Sequence, residues 1–275
     1  MAKRSGQWRL PIHDRLFHST IIGFTCAYVG FIVLLVIAST LHVTWEDLLS
    51  AIQSAEIQSS LRLTFLTCSF SSALALIVAI PTAYLLSRYR FRGRSLLNTI
   101  IDIPIMLPPL VVGLSLLILF NTFPSPETSI ENWLNQHGLQ VTFDVAAIIL
   151  AQFTISAAFA IRNLKSTFDL IPNRFEQIAL TLGCSQSQAF WRVALPLAQR
   201  GILAAGIVAW ARALGEFGPI LIFAGATRGK TEVLSSSVYL ELNTGNLAAS
   251  AAISLLLITL AVASILTIRT LGERN

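Results

Sequence analysis

Few residues of this 275-residue sequence have a type and spacing that could do chemistry. The cysteines lack the C-x-x-C spacing of a zinc or redox site, and the histidines lack the i, i+4 pairing of a helical metal site. These residues are Cys26, Cys68, Cys184, His13, His18, His42 and His137. We therefore predict no metal site and no cofactor bound by this chain.

One charged pair stands inside an apolar stretch. Arg212 and Glu216 are four residues apart, so a helix places them on one face, where they can pair. Charges inside a membrane are costly, and such residues either neutralise each other or take part in a pathway or its gate. Both interpretations stay open. Asp102 is the one further candidate for an ion relay, and no second acid accompanies it in its span.

The segment Gly225–Thr231 resembles a nucleotide-binding P-loop only superficially. Its spacing is Gly-x3-Gly-Lys-Thr, one residue short of Gly-x4-Gly-Lys-Thr. No Ser/His or His/Asp/Glu cluster suggests another enzyme active site either. We predict that the chain is not an enzyme and that any ATP hydrolysis takes place in a partner subunit.

The elements that hold these residues are predicted to be transmembrane helices. The sequence is 54% hydrophobic and 12% charged, and its mean hydropathy is +0.70. Runs without charged residues reach the roughly 20 residues that a bilayer requires. The sequence predicts an all-α membrane protein with about six spans, at 19–41, 63–87, 103–122, 145–161, 201–225 and 247–268.

The distribution of basic residues predicts the orientation of the spans. Lys and Arg are concentrated at the two ends of the chain and in alternate connections, which contain Arg88, Arg90, Arg92, Arg94, Arg162, Lys165, Arg174, Arg192 and Arg200. The opposite connections are free of them at 42–58 and 123–141, and hold only Arg228 and Lys230 at 226–246. The positive-inside rule then places both termini in the cytoplasm. The net charge of +5 is thus a topology signal, and we expect no nucleic-acid partner.

Three prolines interrupt the third span. Pro104, Pro108 and Pro109 free backbone carbonyls that neighbouring helices or water must satisfy. We expect a kink or break there. The kinked helix either lines a cavity or only packs against its neighbours.

The longest cytoplasmic connection, 163–197, has the pattern of two short helices. Pro172 suits a helix start and Gly183 a helix end, while Ser185 and Gln188 form a capping box that begins a second helix, which Pro196 limits. We expect apolar residues to hold this projection to the bundle, namely Phe175, Ile178, Leu182, Phe190 and Val193. A connection built this way is predicted to dock a cytoplasmic partner.

The same loop resembles a known family. Ala179-x3-Gly183-x9-Val193-x-Leu195-Pro196 is similar to the EAA loop of bacterial ABC-importer permeases, Glu-Ala-Ala-x3-Gly-x9-Ile-x-Leu-Pro. Gln177 and Ile178 stand where that pattern has Glu and Ala, and Glu176 lies one position earlier. In that family the loop is the coupling helix that enters a cleft of the ATPase. The resemblance implies that Glu176, Ala179 and Gly183 lie at that contact.

A second resemblance concerns the substrate. Residues 211–218, Ala-Arg-Ala-Leu-Gly-Glu-Phe-Gly, resemble a stretch of molybdate, tungstate and sulfate importer permeases. The segments 107–113, 230–234 and 238–242 resemble the molybdate branch more than the sulfate branch. We take six residues as candidates for the pathway or its gate: Pro108, Pro109, Arg212, Glu216, Phe217 and Gly218.

These resemblances imply a type-1 ABC importer permease of the bacterial inner membrane. Residues 59–270 would form its transmembrane domain, and residues 1–58 would form a cytoplasmic N-terminus, an additional span and a periplasmic linker. The implied partners are a cytoplasmic ATPase dimer, a second permease copy and a periplasmic oxyanion-binding protein. Sulfate or thiosulfate remains the alternative substrate, and a secondary transporter or channel the alternative class.

Overall fold

The computed structural model describes residues 12–41 and 43–272, all of them in helices, turns or loops. Lys3, Arg4, Arg9, Arg274 and His42 lie outside these residues. The helices are α1 Ile12–Leu41, α2 Trp45–Gln53, α3 Ala55–Arg88, α4 Arg94–Met106, α5 Pro109–Thr122, α6 Ile130–Gln136, α7 Val145–Leu170, α8 Arg174–Thr181, α9 Gln186–Ala189, α10 Leu195–Leu214, α11 Gly218–Phe223, α12 Leu234–Asn243 and α13 Leu247–Gly272. The prediction of an all-α fold is confirmed.

Five helical stretches in the described part of the chain are long and apolar enough to cross a bilayer, and a sixth crossing is broken. The broken crossing consists of α4 and α5, which meet at 110°. The prediction of about six spans is therefore confirmed, and the predicted proline break lies where these two helices meet.

The helices extend beyond the charge-free runs that predicted them. α3 begins at Ala55, so the predicted boundary at residue 58 falls inside a helix. α7 continues to Leu170 through Arg162 and Lys165, so the first eight residues of the predicted 163–197 loop belong to it. Charged side chains are tolerated where a helix leaves the hydrocarbon core, and charge-free runs therefore report the core thickness and not the helix length.

Small residues bring the three central helices together. A seam of alanines joins α3, α7 and α10, formed by Ala75, Ala79, Ala83, Ala157, Ala160, Ala198, Ala205 and Ala209. All are buried. Lipid tails are as apolar as leucine, so helices in a membrane associate through close packing of small residues. The alanine seam is thus the core of the bundle.

The second short helix of the 163–197 loop, α9, does not end at Pro196 as predicted. α9 passes through a π-helical turn, Phe190–Ala194, directly into α10. In an α-helix the ring of Pro196 would clash with the carbonyl of residue 192, one turn earlier. The π-helical turn covers that position and takes up the mismatch, so the helix continues past the proline.

We predict that Gly201→Ala destabilises the bundle by about 1–3 kcal/mol, because a Cβ at Gly201 would overlap Cγ2 of Thr167 and lie 2.8 Å from its Cβ. Thermal unfolding in detergent measures the change. Gly23→Ala in α1 is the matched control, since no atom lies within 4 Å of a Cβ there. Equal midpoints for the two variants would contradict the close contact between α7 and α10.

Candidate translocation pathway and coupling loop

Two interruptions of the helices face each other inside the bundle. One lies between α4 and α5 at Leu107–Pro108, and the other lies between α10 and α11 at 215–217. A Cβ at Gly218 would lie 3.0 Å from Cβ of Pro109. A Cβ at Gly113 would lie 2.8 Å from the Pro219 Cα atom. The structure thus brings the two groups of candidate pathway residues together, although they are a hundred positions apart in the chain.

Local sequence explains both breaks. Pro109 begins α5, and Leu107 is extended, as a residue that precedes a proline prefers to be. α10 ends at Leu214 before Gly215, and Pro219 lies in the first turn of α11. Non-helical backbone at membrane depth is tolerated where it is buried in protein or lines a cavity.

Side chains add hydrogen bonds to backbone carbonyls at the second break, one of which, that of Ala213, also accepts from the Glu216 amide. The Gln152 amide, fully buried in α7, donates to the Ala213 carbonyl at 3.3 Å. Ser71 of α3 donates to the Gln152 side-chain oxygen at 3.3 Å. The Ser235 hydroxyl donates to the Glu216 carbonyl at 2.7 Å. Polar residues from three neighbouring segments therefore hold the end of α10 in place.

Arg212 and Glu216 form an ion pair across this break. Arg212 Nη2 lies 2.7 Å from Glu216 Oε1, and the side chains are 34% and 2% exposed. The Arg212 guanidinium also lies 5.3 Å from the centre of the Phe159 ring. The pair does not lie on one continuous helix, because Glu216 follows the end of α10. The contact is an ion pair without a hydrogen bond, since Glu216 Oε1 has no hydrogen-bond partner among the described residues.

The exposed side of the break between α4 and α5 is apolar. Pro108 and Pro109 are exposed there together with Met106, Leu107 and Leu110. Phe217, at the opposite break, packs against the Tyr239 ring with centroids 5.2 Å apart. The exposed surface at the first break offers no fixed charge to a passing ion.

Asp102 of α4 is also paired. Two nitrogens of Arg162 reach its two carboxylate oxygens at 2.8 Å each. All three residues considered for an ion relay are thus engaged in two separate ion pairs, which argues against a proton or ion relay through them.

Residues 171–194, which we call the coupling loop after their resemblance to the EAA loop, fold as two short helices around a glycine. α8 is followed by Gly183 at φ 91°, a left-handed conformation that favours glycine. The capping box of Ser185 and Gln188 begins α9. Both features were predicted. Leu195 and Pro196 lie in the first turn of α10, after the π-helical turn.

A buried ion pair fastens α8 to the bundle. Arg88, the last residue of α3, donates from Nε to Glu176 Oε1 at 2.7 Å. Its other nitrogens donate to the carbonyls of Phe168 and Ile171. The Tyr84 hydroxyl donates to Glu176 Oε2 at 2.5 Å. One arginine therefore joins α3, the end of α7 and the coupling loop.

The faces of α8 differ from the prediction. Glu176 and Ala179 are turned toward the bundle and buried, and the exposed residues include three of those expected to hold the loop. Phe175 is 40% exposed, Ile178 53% and Leu182 80%. Gln177 and Gly183 are exposed as well. The expectation that Phe175, Ile178 and Leu182 face the bundle is wrong, since the ion pair of Glu176 turns that side of the helix inward.

Comparison with known proteins agrees with this architecture. The family described as "Binding-protein-dependent transport system inner membrane component" matches residues 71–272. The chain belongs to this family. It is 33% identical to the molybdenum transport system permease protein ModB of Mycobacterium tuberculosis over 240 residues, which cover 87% of this chain and 89% of ModB.

Other similarities support the same assignment. The permease is 28% identical to the sulfate transport system permease protein CysT of Escherichia coli, over 92% of this chain and 91% of CysT. Its fold matches that of a bacterial ABC transporter involved in the import of the acidic polysaccharide alginate. That match has a TM-score of 0.73 at 17% identity, and covers 95% of this chain and 96% of that chain. The prediction of a type-1 importer permease fold in the inner membrane is confirmed.

Sequence reasoning missed Arg88 and Tyr84 of the permease as partners of the coupling loop. Arg88 was interpreted only as one of four arginines that report orientation. A signal was available in the sequence. Glu176 is the single acidic residue of α8, and the run of arginines that begins at Arg88 lies at the end of the second predicted span, two spans before the one that leads into α8. Which arginine it pairs with depends on the packing of α3 against α7.

Two basic residues, Arg228 and Lys230, depart from the predicted charge asymmetry, and both lie at the end of the permease opposite the coupling loop. Arg228 pairs with Glu56 at the start of α3 and, at 2.7 Å, with Glu241 of α12. Glu232 is buried nearby, and this burial raises its pKa. Lys230 Nζ lies 4.0 Å from an oxygen of Asp144. Neighbouring carboxylates therefore offset both cations.

Three backbone amides at and just after the end of the segment 225–231 are engaged by one carbonyl of that segment. The backbone amides of Lys230, Thr231 and Glu232 all donate to the Thr227 carbonyl, at 3.1, 2.9 and 3.1 Å. A P-loop instead points such amides at phosphate oxygens. Here the three amides are engaged within the turn.

We predict that Arg212→Gln lowers the stability of the permease more than Glu216→Gln does, by about 1–3 kcal/mol. Removing Arg212 leaves a buried carboxylate without a counter-ion, whereas removing Glu216 leaves an arginine that is one-third exposed. Thermal unfolding of both variants and of the double variant measures the difference. Equal losses, or a smaller loss for Arg212→Gln, would show that burial of Glu216 does not decide the energetics.

Proposed function

We propose that two copies of this permease form the pathway of an ATP-driven importer of molybdate or tungstate. A separate cytoplasmic ATPase dimer binds the coupling loops, and a periplasmic protein delivers the oxyanion. Both termini lie in the cytoplasm, and the permease itself binds no cofactor. The carrying observation is the coupling loop, whose α8 is fastened by Arg88 while its apolar residues face outward.

The outward face of α8 suits a protein partner. Phe175, Ile178 and Leu182 are large apolar side chains exposed on a loop that is otherwise capped and hydrogen-bonded. Such residues form the buried centre of an interface, where a few side chains supply most of the binding energy. Glu176 and Ala179 act from beneath this surface by holding it in position, and Gln177 and Gly183 border it.

The fastening also supplies a route for force. Movement of α8 displaces Glu176, and the buried ion pair passes this displacement to Arg88 and thus to α3. Arg88 contacts Glu176 and two carbonyls at the end of α7, so α8 and α3 are joined by several hydrogen bonds and not by one contact. The closure of the ATPase can then bias a bistable helix bundle between inward-open and outward-open states.

The facing breaks of α4–α5 and α10–α11 are the proposed moving part of the pathway. Gly218 approaches Pro109 there, and Phe217 and Pro108 are the residues that precede them at the two breaks. Small rotations at these points need few bonds to be remade. Arg212 and Glu216 keep the second break closed from within the bundle.

The substrate assignment depends on the likeness to ModB and on the molybdate-like segments of the sequence. The exposed surface at the first break holds no fixed charge, so a tight oxyanion site, which requires several directed donors, is not built into it. Selectivity then belongs mainly to the periplasmic binding protein. The likeness to CysT, which covers slightly more of the chain at lower identity, supports sulfate or thiosulfate as the second candidate.

We predict that Ile178→Asp and Leu182→Asp each prevent co-purification of the ATPase, weakening its binding at least tenfold, while the permease stays folded. A charge on the outward face of α8 would have to be buried without a partner at the interface. Leu139→Asp is the matched control, because Leu139 is equally exposed but lies in a connection of the opposite set. Full ATPase recovery with the α8 variants would remove the docking assignment.

A second measurement addresses substrate and energy source together. The permease is reconstituted in liposomes with its ATPase and its binding protein, and uptake of radiolabelled molybdate is followed in competition with sulfate. We expect ATP-dependent uptake that sulfate inhibits weakly. Preferential sulfate uptake would favour the second candidate, and uptake that persists without the ATPase would indicate a secondary transporter.

A further inference from the structure

A polar cavity of about 540 Å³ lies at the end of the bundle that carries the coupling loop. It is bounded by the end of α3, the first two turns of α4 and the last turns of α7. Three of its lining residues are apolar, namely Leu86, Ile101 and Ile161. The other lining residues are polar or charged: Arg94, Asn98, Asp102, Arg162, Lys165, Ser166 and Asp169.

The charges in this cavity do not balance. Asp102 is taken by the two-fold contact with Arg162, and Asp169 accepts from Lys165 and from Ser87. Arg94 is left over. Its Nε is buried and has no hydrogen-bond partner, and none of the ion pairs among the described residues involves Arg94.

An unpartnered buried guanidinium nitrogen is costly, since a buried donor loses its water without gaining an acceptor. Guanidinium groups match the geometry of phosphate oxygens. We propose that the cavity binds the phosphate group of an anionic phospholipid, with Arg94 as the principal cation. Asn98 and Ser166 offer further donors to the phosphate oxygens.

The surroundings favour a lipid over a free anion. The apolar lining residues Leu86, Ile101 and Ile161 belong to the membrane-crossing helices α3, α4 and α7, so the acyl chains of a lipid bound here would lie beside apolar side chains. The connection that precedes Arg94 alternates exposed cations and aromatic rings, with Arg90 and Arg92 beside Tyr89 and Phe91. Aromatic residues of this kind are enriched at the level of lipid headgroups. Basic pockets between membrane helices bind anionic headgroups in the same way.

The test uses the full-length permease in nanodiscs of phosphatidylcholine to which phosphatidylglycerol is added. Native mass spectrometry counts retained lipid, and thermal unfolding reports its effect. We expect Arg94→Gln to weaken phosphatidylglycerol binding about fivefold, as removal of one cation near a headgroup does. Arg94→Lys keeps the charge and should retain most of the binding, which guards against a folding defect.

Arg200→Gln is the matched control, because Arg200 is exposed, lies in the second turn of α10 outside the cavity and has no ion pair among the described residues. An equal loss in Arg94→Gln and Arg200→Gln would overturn the site and indicate only general attraction. A third arm adds inorganic phosphate to pure phosphatidylcholine discs. Protection by free phosphate equal to that by phosphatidylglycerol would overturn the lipid assignment.

Discussion

The constraint on which this structure depends is that a membrane offers no water to a broken helix. Any carbonyl or amide freed inside the bilayer must find its partner within the protein. At the end of α10 the Glu216 carbonyl accepts from Ser235, and the Ala213 carbonyl accepts from the Glu216 amide and from Gln152, which Ser71 contacts in turn. Polar side chains of α3 and α7 and of the start of α12 thus support the break. A flexible point in the pathway thus requires a well-packed surrounding core.

Packing of small residues makes that arrangement possible and also links the two ends of the molecule. The alanine seam lets α3 lie directly against α7, which places Arg88 over the start of the coupling loop. α3 has 34 residues and is therefore about 51 Å long. Its other end carries Glu56, the partner of Arg228. A single helix thus joins the loop proposed to meet the ATPase to the outer connections.

The sequence was sufficient for features that depend on local chemistry. Charge-free runs located the six crossings, prolines located the break between α4 and α5, and the capping box located α9. It failed where the outcome depends on distant contacts. The contact of Glu176 with Arg88, 88 residues earlier, sets which face of α8 is turned inward. The apolar pattern alone predicted the opposite face. Pro196 was misjudged because a π-helical turn accommodates it.

The placement of charge bears on how an anion could pass. Fixed charges are concentrated at the two ends of the bundle, and within the breaks the one pair, Arg212 with Glu216, neutralises itself. A pathway that held a doubly charged anion tightly would release it slowly, since conduction requires binding weak enough to leave. The uncharged surface at Pro108 and Pro109, proposed to line the pathway, avoids such tight binding. The energy that drives the proposed transport then comes from the movement of the helices and not from attraction along the pathway. In this proposal the coupling loop transmits that movement from the ATPase to the bundle.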